Sequence, residues 1–325
     1  MTLSEILLPI NNLQVEFEKY FTNLVHSEVE LLNEVLTYVT NTVGKRLRPN
    51  LMLLVAAALG NINDRIYNNA AMIELLHTST LIHDDIVDKS LKRRNKPSVN
   101  AKWDNKIAVL SGDFIIAYIL RTALKNKEMD FLEVCFDTIE IMTEGELLAI
   151  QQSNIVDFKE DMYYKIIFAK TASLISSSCY ISANIASKGN SKYVEPLKKY
   201  GEYVGMAFQI RDDIFDYISN SNTIGKPVGN DIRERKLTLP LIYALSQTTE
   251  TKRLEILSLI KTNKLSNNKI HQIIDFTIEQ GGIEYAMNKA KKFVERAIEY
   301  ITFLPISKEK KSLIEFAHYV ITRNK

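Results

Sequence analysis

The sequence is poor in the residues that interrupt or cross-link a chain. Its 325 residues include 2 Cys, 7 Pro and 11 Gly, whereas apolar residues make up 46% and charged residues 25%. This composition excludes the collagen-like, disulfide-rich and disordered classes and is typical of a helix-rich globular protein. Cys135 and Cys179 lie inside apolar helical patterns without metal-type spacing, so we expect buried thiols rather than a disulfide or a zinc site.

The chain also lacks a strong charge excess and a long apolar run. The formal net charge of +2 gives no reason to propose nucleic acid or a membrane surface as the main partner. The longest apolar run, residues 51–60, is too short to cross a bilayer. The N-terminal stretch has no basic region and is followed by several glutamates, which argues against a transit peptide. We therefore expect a cytoplasmic protein without stable membrane insertion.

Helical periodicity runs through most of the chain. Apolar residues recur at three- and four-residue spacing, and sustained alternation of the strand type is absent. The pattern predicts helices at about 3–40, 46–59, 66–89, 105–126, 130–153, 160–187, 192–218, 239–247, 251–263, 267–280, 284–303 and 307–322. The clearest long loop is residues 219–231, and no linker divides the chain. We predict one all-α domain over residues 1–325 that encloses a single site.

Two short stretches concentrate aspartates at the end of apolar helical patterns. They are LIHDDIVD at 81–88, with Asp84, Asp85 and Asp88, and QIRDDIFD at 209–216, with Asp212, Asp213 and Asp216. The first and last aspartate of each set lie one helical turn apart on the same face. Like charges at this spacing destabilise a helix by roughly 0.2–0.5 kcal/mol per pair. A bound cation would neutralise them, and carboxylate sites with room for water and phosphate oxygens suit Mg²⁺.

Basic residues accompany both aspartate sets. They are Lys45, Arg46 and Arg48 in GKRLRP at 44–49, Arg93 and Arg94 after the first set, and Lys226 after the second. Alone, each aspartate set could be a solvated helix end and each cation a surface charge. Together they match what two polyanionic substrates require. A purely structural helical protein would instead leave these cations pointing to solvent without converging.

The ordered motifs resemble those of the trans-isoprenyl diphosphate synthases, the polyprenyl synthetase family. The matching segments are GKRLRP, HTSTLIHDDIVD with the two following arginines, AKTA at 169–172, FQIRDDIFD and GKPVGNDIRERKLTLP. The resemblance covers residues 40–240 and continues more weakly to Arg323. It implies the all-α isoprenoid synthase type I fold, a single large helical bundle around a central cavity with the two aspartate motifs at its mouth. It also implies a homodimer.

The resemblance further implies a role for each matching residue. Three Mg²⁺ would be held on the allylic diphosphate substrate by Asp84, Asp85, Asp88, Asp212, Asp213 and Asp216. Contacts with the same diphosphate are implied for Arg93, Lys170 and Lys226. Binding of isopentenyl diphosphate is implied for Lys45, Arg48, His77 and Arg94. Residues that line the reacting region or close the site are Thr171, Gln209 and Lys236.

Two departures and two histidines qualify this assignment. Val43 and Arg235 replace glycines that many family members carry, which leaves the loop geometry open without removing a charge. His77 lies two turns before Asp84 on the same face, and its alternative role is that of a core histidine. His83 is expected to be a hydrogen-bond partner of the aspartates rather than a ligand, because Mg²⁺ prefers oxygen.

Product length should depend on the residues about one turn before Asp84. One isoprene unit extends for about one helical turn, roughly 5 Å, so Ser79 and Thr80 would meet the growing chain first, with Leu76 a turn further on. Family members with short products usually carry a bulky aromatic residue here. The small side chains imply about six to eight isoprene units, as in a quinone side-chain precursor, built on farnesyl or geranylgeranyl diphosphate.

Other functions stay open from the sequence. A short-chain farnesyl or geranylgeranyl diphosphate synthase would share these motifs, and so would one subunit of a heteromeric prenyl synthase. Intact aspartates in both motifs argue against a non-catalytic subunit. A class I terpene cyclase would share the first motif but normally uses an Asn/Ser/Glu triad as its second, where this chain has DDIFD.

Overall fold

The computed structural model describes residues 1–22, 24–42, 44–152, 159–218, 229–261 and 265–323. These residues are almost entirely helical, and the strands among them form one short hairpin. The predicted all-α class is confirmed. The chain groups into two compact units, Met1–Asp137 with Ser177–Lys198 and Phe303–Glu315, and Thr138–Ser176 with Lys199–Thr302 and Phe316–Lys325. A single domain over residues 1–325 stays a prediction.

The helices are numbered here along the chain. They are α1 (Leu3–Ile6), α2 (Asn11–Thr22), α3 (Glu30–Thr40), α4 (Leu47–Ala58), α5 (Asp64–Val87), α6 (Val99–Lys102), α7 (Asn105–Lys125), α8 (Met129–Gln152), α9 (Glu160–Ile167), α10 (Ser173–Ser187), α11 (Ser191–Ile218), α12 (Asn230–Arg233), α13 (Leu239–Ser246), α14 (Glu250–Ile260), α15 (Asn267–Glu279), α16 (Gly282–Tyr300) and α17 (Lys308–Thr322). The other elements are a 3₁₀ turn (Leu8–Ile10), strands β1 (Lys92–Arg93) and β2 (Lys96–Pro97), and a π-helical turn (Phe168–Ala172).

The predicted helix over 3–40 is wrong in its middle. Helix α2 ends at Thr22 and α3 begins at Glu30. In the intervening segment the Ser27 side chain accepts a hydrogen bond from the Val29 backbone N–H (3.1 Å), which gives the backbone an alternative to the helix. The hairpin was not predicted, because strands of two residues are too short to show alternation.

The core of the first unit is built around α4. Its residues from Leu51 to Ala56 are each at most 1% exposed, as expected for a helix that is apolar on all sides. Helix α5 packs against both α4 and α7. The Asn63 side chain accepts a hydrogen bond from the Ile66 backbone N–H and caps the start of α5. Because α5 is held along its length, the first aspartate motif at its end has a fixed position.

The core of the second unit is built around α13. This helix packs against α9, α15 and α16. Gly282 permits the approach of α16, because a Cβ atom there would lie 2.3 Å from the Pro240 carbonyl oxygen. Helix α11 contributes Ile210 and Ile214, which are fully buried. These two residues anchor the stretch of α11 that carries the second aspartate motif.

Among the described residues, two helical segments are long and apolar enough to cross a membrane by length and composition alone. They are residues 105–125 and 160–187, with 33% and 67% of their apolar windows buried. Core helices of globular proteins pass the same test. Absence of membrane insertion therefore stays a prediction, and the low burial of α7 shows that much of its apolar surface is uncovered within this chain.

Candidate active site

In the first motif, Asp85 is committed to an ion pair. Its side chain is 4% exposed, and both carboxylate oxygens accept hydrogen bonds from Arg93, at 2.8 Å each from Nε and Nη2. This bidentate geometry is among the strongest that a carboxylate can form. Asp84 and Asp88 are more exposed. The motif therefore combines one buried, internally neutralised carboxylate with two carboxylates closer to the surface.

Arg93 and Arg94 are presented by the β1–β2 hairpin. Strand residues Lys92 and Arg93 pair with Pro97 and Lys96, and the two turn residues, Arg94 and Asn95, both have positive φ. That backbone is typical of a type I′ turn, which a non-glycine residue adopts at a cost. The Arg94 guanidinium lies against Gly44, where a Cβ atom would be 2.2 Å from Nη1. With any side chain at position 44 the guanidinium of Arg94 would have to shift from this place.

Arg46 has a structural role that separates it from its neighbours in GKRLRP. Its guanidinium bonds to buried Glu74 (3.1 Å), to Glu18 (3.3 Å) and to the Thr40 carbonyl (2.9 Å). It also lies 4.3 Å over the Phe21 ring. These contacts tie α2, α3 and α5 together, whereas the side chain of Lys45 is exposed.

His77 lies in a positively charged environment. Burial lowers the pKa of His77 well below its usual 6.5, and the positive charges of Arg48, Arg94 and Arg93 lower it further. Arg93 and Arg94 also line one pocket together with Asp85 and Thr78. A purely structural helical protein predicts instead that these cations point to solvent without converging.

Two of the predicted length-determining residues, Ser79 and Thr80, are small, and their hydroxyls hydrogen-bond to the backbone of their own helix. Ser79 is fully buried and donates to the Leu76 carbonyl (2.8 Å), while Thr80 donates to the His77 carbonyl (2.9 Å). Because the helix backbone satisfies both hydroxyls, the outer faces of these side chains are apolar. Leu76 is also fully buried.

His83 contacts α7. Its Nε2 lies 3.3 Å from the Val109 carbonyl oxygen and 3.5 Å from Asp113. Gly112 makes this approach possible, because a Cβ atom there would be 2.2 Å from the imidazole. The partners that these distances identify are on α7.

In the second motif the three aspartates have different partners. Asp212 forms an ion pair with Arg323. Asp213 accepts hydrogen bonds from the Tyr163 hydroxyl (2.6 Å) and from Gln209 Nε2 (2.8 Å). Asp216 accepts the backbone N–H groups of Asn230 and Asp231, at 2.9 Å each, and so caps the start of α12. Asp213 and Asp216 are thus held by hydrogen bonds, and Asp212 is held by an ion pair.

Negative charge accumulates around Asp213. Burial raises the pKa of Asp213 to about 7 against the effect of its hydrogen bonds from Tyr163 and Gln209, and the charges of Asp212 and Asp216 raise it further. Asp231 behaves similarly, since burial and the charges of Asp213 and Asp216 raise its pKa well above the ordinary range. A cation bound near these carboxylates would favour their charged forms.

The AKTA segment forms the π-helical turn between α9 and α10. Lys170 forms an ion pair with Glu146, and the Thr171 hydroxyl donates to Gln209 Oε1 (2.7 Å). Thr171, Gln209 and Asp213 therefore form one hydrogen-bonded chain. Such π turns occur frequently at functional sites.

The last two predicted residues lie near α12. Lys236 forms an ion pair with Glu234 (2.6 Å), and its charge lowers the otherwise raised pKa of Asp231. Lys226 and Val43 lie outside the residues that the structure describes. Lys236 is thus close to Asp231, whose carbonyl accepts its backbone N–H (2.8 Å), and its role in closing the site stays a prediction.

The donor set suits Mg²⁺ without forming a complete cage for it. Within the described ranges, no three Asp, Glu, His or Cys side chains are grouped so that they could hold a metal ion. Magnesium does not require such a group, since it commonly binds through one or two carboxylates and completes its shell with water and substrate phosphates. The oxygen-only donors and the raised pKa of Asp213 fit such an ion.

Three further site residues were not assigned roles from the sequence. Tyr163 and Asp231 contact Asp213 and Asp216, and Arg323 contacts Asp212. The positions of two of them in the sequence could have indicated a role in the site. Tyr163 lies two helical turns before Lys170, and Asp231 follows the second aspartate motif within the segment GND. Arg323 is 111 residues from its partner, a pairing that no local pattern reveals.

Comparisons with known proteins agree on one family. Residues 29–277 match the family described as Polyprenyl synthetase. The chain is 37% identical to the all-trans-nonaprenyl-diphosphate synthase (geranyl-diphosphate specific) of Rhodobacter capsulatus over 98% of this chain and 97% of that protein. It is 32% identical to the geranylgeranyl diphosphate synthase of Saccharolobus solfataricus over 100% of both chains. A polyprenyl synthase from Caulobacter crescentus CB15, solved with calcium and isoprenyl diphosphate, has a TM-score of 0.92 and 27% identity over 100% of this chain and 98% of its own.

Proposed function

The chain belongs to the polyprenyl synthetase family and is a trans-prenyltransferase, and on that premise we propose which reaction it catalyses. Isopentenyl diphosphate is added head-to-tail to farnesyl or geranylgeranyl diphosphate, with release of inorganic diphosphate. The product is a trans-polyprenyl diphosphate of about six to eight isoprene units, since each unit extends for about one helical turn. The observation that carries the proposal is the end of α5, where Asp85, Arg93 and Arg94 line one pocket and small residues lie about one turn before the aspartates.

Binding of the allylic diphosphate depends on the two aspartate motifs in this proposal. Mg²⁺, three ions per site by resemblance to the family, would offset the charge that develops on the departing diphosphate. By resemblance to the family, the residues that would hold the metal are the aspartates of both motifs: Asp84, Asp85, Asp88, Asp212, Asp213 and Asp216. Three of them, Asp85, Asp213 and Asp216, also accept hydrogen bonds from protein groups at both carboxylate oxygens. The calcium in the Caulobacter crescentus structure supports a divalent cation.

The remaining cations have separate roles. Lys45, Arg48, Arg94 and neutral His77 bind isopentenyl diphosphate, and Arg93, Lys170 and Lys226 contact the allylic diphosphate. Thr171 and Gln209 fix the reacting region through their mutual hydrogen bond. Lys236 closes the site. Apolar walls would exclude water while the carbon–oxygen bond of the allylic substrate breaks and the isopentenyl double bond attacks the allylic cation. The new carbocation then loses a proton, which the released diphosphate accepts, and an alkene is restored.

Chain length is tested at Ser79. We expect Ser79→Phe to shorten the product by several units, because the ring would fill the path of the growing chain one turn from Asp84. Purified protein is incubated with isopentenyl diphosphate, farnesyl diphosphate and Mg²⁺, and the products are sized by chromatography. Ser79→Ala is the matched control, since it removes the hydroxyl without adding volume. An unchanged product length in Ser79→Phe would refute this assignment.

A second candidate is a short-chain synthase or one subunit of a heteromeric enzyme. The identity with a geranylgeranyl diphosphate synthase over the whole chain supports the first form of this alternative. Accumulation of a product with four isoprene units by wild-type protein would favour it. Absence of any product from the purified chain alone would favour a required partner subunit.

We also propose that the chain forms a homodimer through α7. Leu110, Ala117 and Leu124 lie seven residues apart on this helix and are all exposed. Leu110 is 67% and Leu124 61% exposed. Apolar residues at this spacing form one continuous line suited to a second helix. Met129 and Phe136 at the start of α8 are also exposed and could extend the same interface. A cytoplasmic location stays a prediction.

A further inference from the structure

Arg323 is a buried cation held directly against the second aspartate motif. Its side chain is 7% exposed and forms an ion pair with Asp212 Oδ1 through Nη2. The family resemblance seen in the sequence ended near this residue without assigning it a role. It follows α17 and belongs to the same compact unit as Asp212.

Several contacts fix Arg323 without the help of Asp212. Its Nε donates to the Val320 carbonyl (3.2 Å) and its Nη2 to the Phe208 carbonyl (3.4 Å). The guanidinium lies 4.0 Å from the centre of the Phe208 ring and 5.6 Å from that of Phe215. Aromatic faces at these distances attract a guanidinium. The arginine is therefore placed by its surroundings and is not simply drawn to the carboxylate.

A second arginine fixes the backbone of the first. Arg211 Nη2 donates to the Arg323 carbonyl oxygen (3.1 Å). Arg211 is itself buried, and its guanidinium lies 4.3 Å over the Phe215 ring. Arg211 immediately precedes Asp212 on α11. The first of these neighbours binds the main chain of Arg323, and the second accepts the side chain of Arg323. Together the two contacts set the direction of the Asp212 carboxylate.

We propose that Arg323 is a positioning residue for Asp212, and that it orients this carboxylate for the divalent cation that binds with the diphosphate. The inference rests on the proposed function, in which Asp212 contacts the metal. Carboxylates that bind metals are commonly held by a further hydrogen bond, and loss of that partner weakens metal binding about 10- to 100-fold. Because Arg323 is anchored independently, it stays in place when the metal binds and does not act as a competing cation.

The test measures metal affinity directly. Mn²⁺ binding is followed by electron paramagnetic resonance, with and without inorganic diphosphate, for wild-type protein, Arg323→Gln and Arg296→Gln. We expect the Mn²⁺ dissociation constant in the presence of diphosphate to rise at least about tenfold in Arg323→Gln. Arg296→Gln removes an equal charge from an exposed surface pair with Glu299 and should leave it unchanged.

A second variant and a double substitution separate positioning from a general structural effect. Arg323→Lys keeps the charge but loses the planar fork, so its affinity should fall between those of wild type and Arg323→Gln. In an Asp212→Asn background, Arg323→Gln should cause no further loss, because its effect acts through that carboxylate. Thermal unfolding without metal identifies any variant that has lost its fold, in which case Arg323→Lys decides the question.

The outcomes distinguish this inference from the function on which it rests. Wild-type protein that binds no Mn²⁺ with diphosphate would overturn the proposed function. Wild-type binding combined with unchanged affinity in folded Arg323→Gln would overturn the positioning role alone. Tighter binding in that variant would also overturn it, because Arg323 would then compete with the metal. Equal losses with and without Asp212 would show that Arg323 acts elsewhere.

Discussion

Single residues within one short motif have different physical roles. In GKRLRP, Arg46 is enclosed by carboxylates and an aromatic ring, whereas neighbouring Lys45 is exposed. In the first aspartate motif, Asp85 is bound at both oxygens by Arg93. The sequence alone does not distinguish these charges from one another. The structure shows which of them are held by other charged groups of the protein.

Replacement of Arg46 should chiefly affect stability. Arg46→Ala leaves the carboxylate of Glu74 buried without its partner, so we expect the free energy of unfolding to fall by about 3–5 kcal/mol. Urea denaturation measures this change. Lys45→Ala is the matched control, for which we expect a change within about 0.5 kcal/mol and a higher KM for isopentenyl diphosphate. Equal stability of the two variants would contradict the structural role assigned to Arg46.

His77 should make stability depend on pH. Because burial and Arg48, Arg94 and Arg93 hold its pKa well below 6.5 in the folded protein, the unfolded chain binds a proton below pH 6.5 that the folded protein does not. His77 therefore lowers stability progressively as the pH falls below 6.5, and contributes no such slope above it. Thermal unfolding of wild type and His77→Gln from pH 5 to 8 tests this. We expect a smaller loss at low pH in the variant, and parallel curves would contradict the depressed pKa.

At the scale of elements, close packing fixes the π-helical turn that carries Lys170 and Thr171. A Cβ atom on Gly145 in α8 would lie 2.3 Å from the Ala169 Cβ, and one on Gly205 in α11 would lie 2.5 Å from the Ala172 Cα. Two glycines on different helices thus bring α8 and α11 against this turn. The turn was predicted as ordinary helix within 160–187, because helical periodicity does not reveal one extra residue in a turn.

Gly205→Ala should displace this turn. Since the new methyl group would meet the backbone of Ala172, we expect destabilisation of about 1–3 kcal/mol together with a lower kcat, as Thr171 moves relative to Gln209. Urea denaturation and steady-state kinetics measure the two effects. The comparison variant is Gly112→Ala, whose methyl group meets the movable His83 side chain instead of backbone. Greater loss of activity in Gly112→Ala than in Gly205→Ala would argue against the role of this packing.

At the scale of the whole molecule, the proposed homodimer rests on exposed apolar residues of α7. Leu110 is 67% and Leu124 61% exposed. Large exposed apolar patches mark contacts with proteins or membranes. The seven-residue spacing of Leu110, Ala117 and Leu124 favours a second helix over a lipid surface, because it forms a narrow line.

Negative charge on the line formed by Leu110, Ala117 and Leu124 should prevent dimer formation. We expect wild-type protein to have twice the mass of the chain in size-exclusion chromatography with light scattering. A Leu110→Glu, Leu124→Glu double variant should have the mass of one chain, because the interface would enclose charges without partners. Glu substitution of exposed Leu254 on α14 provides the control. A monomeric wild type, or a dimeric double variant, would exclude this interface.

Helical periodicity and composition were sufficient to predict the all-α class, and ordered motifs identified the family. Most helix ends agree with the prediction within a few residues, since they follow from apolar spacing and from breakers such as Gly189 and Pro305. The break between α2 and α3 was missed, because it depends on a local side-chain contact of Ser27 that competes with a continuous helical pattern.

The sequence by itself determined which charged residues this protein has and their order along the chain. Only the tertiary structure decided which of those charges neutralise one another, as Arg93 does for Asp85 and Arg323 for Asp212. The physical reason is that ion pairing and burial act through space, over distances of a few ångströms, whereas periodicity registers only neighbours along one helix. Residues 111 positions apart therefore meet without any local sign of it.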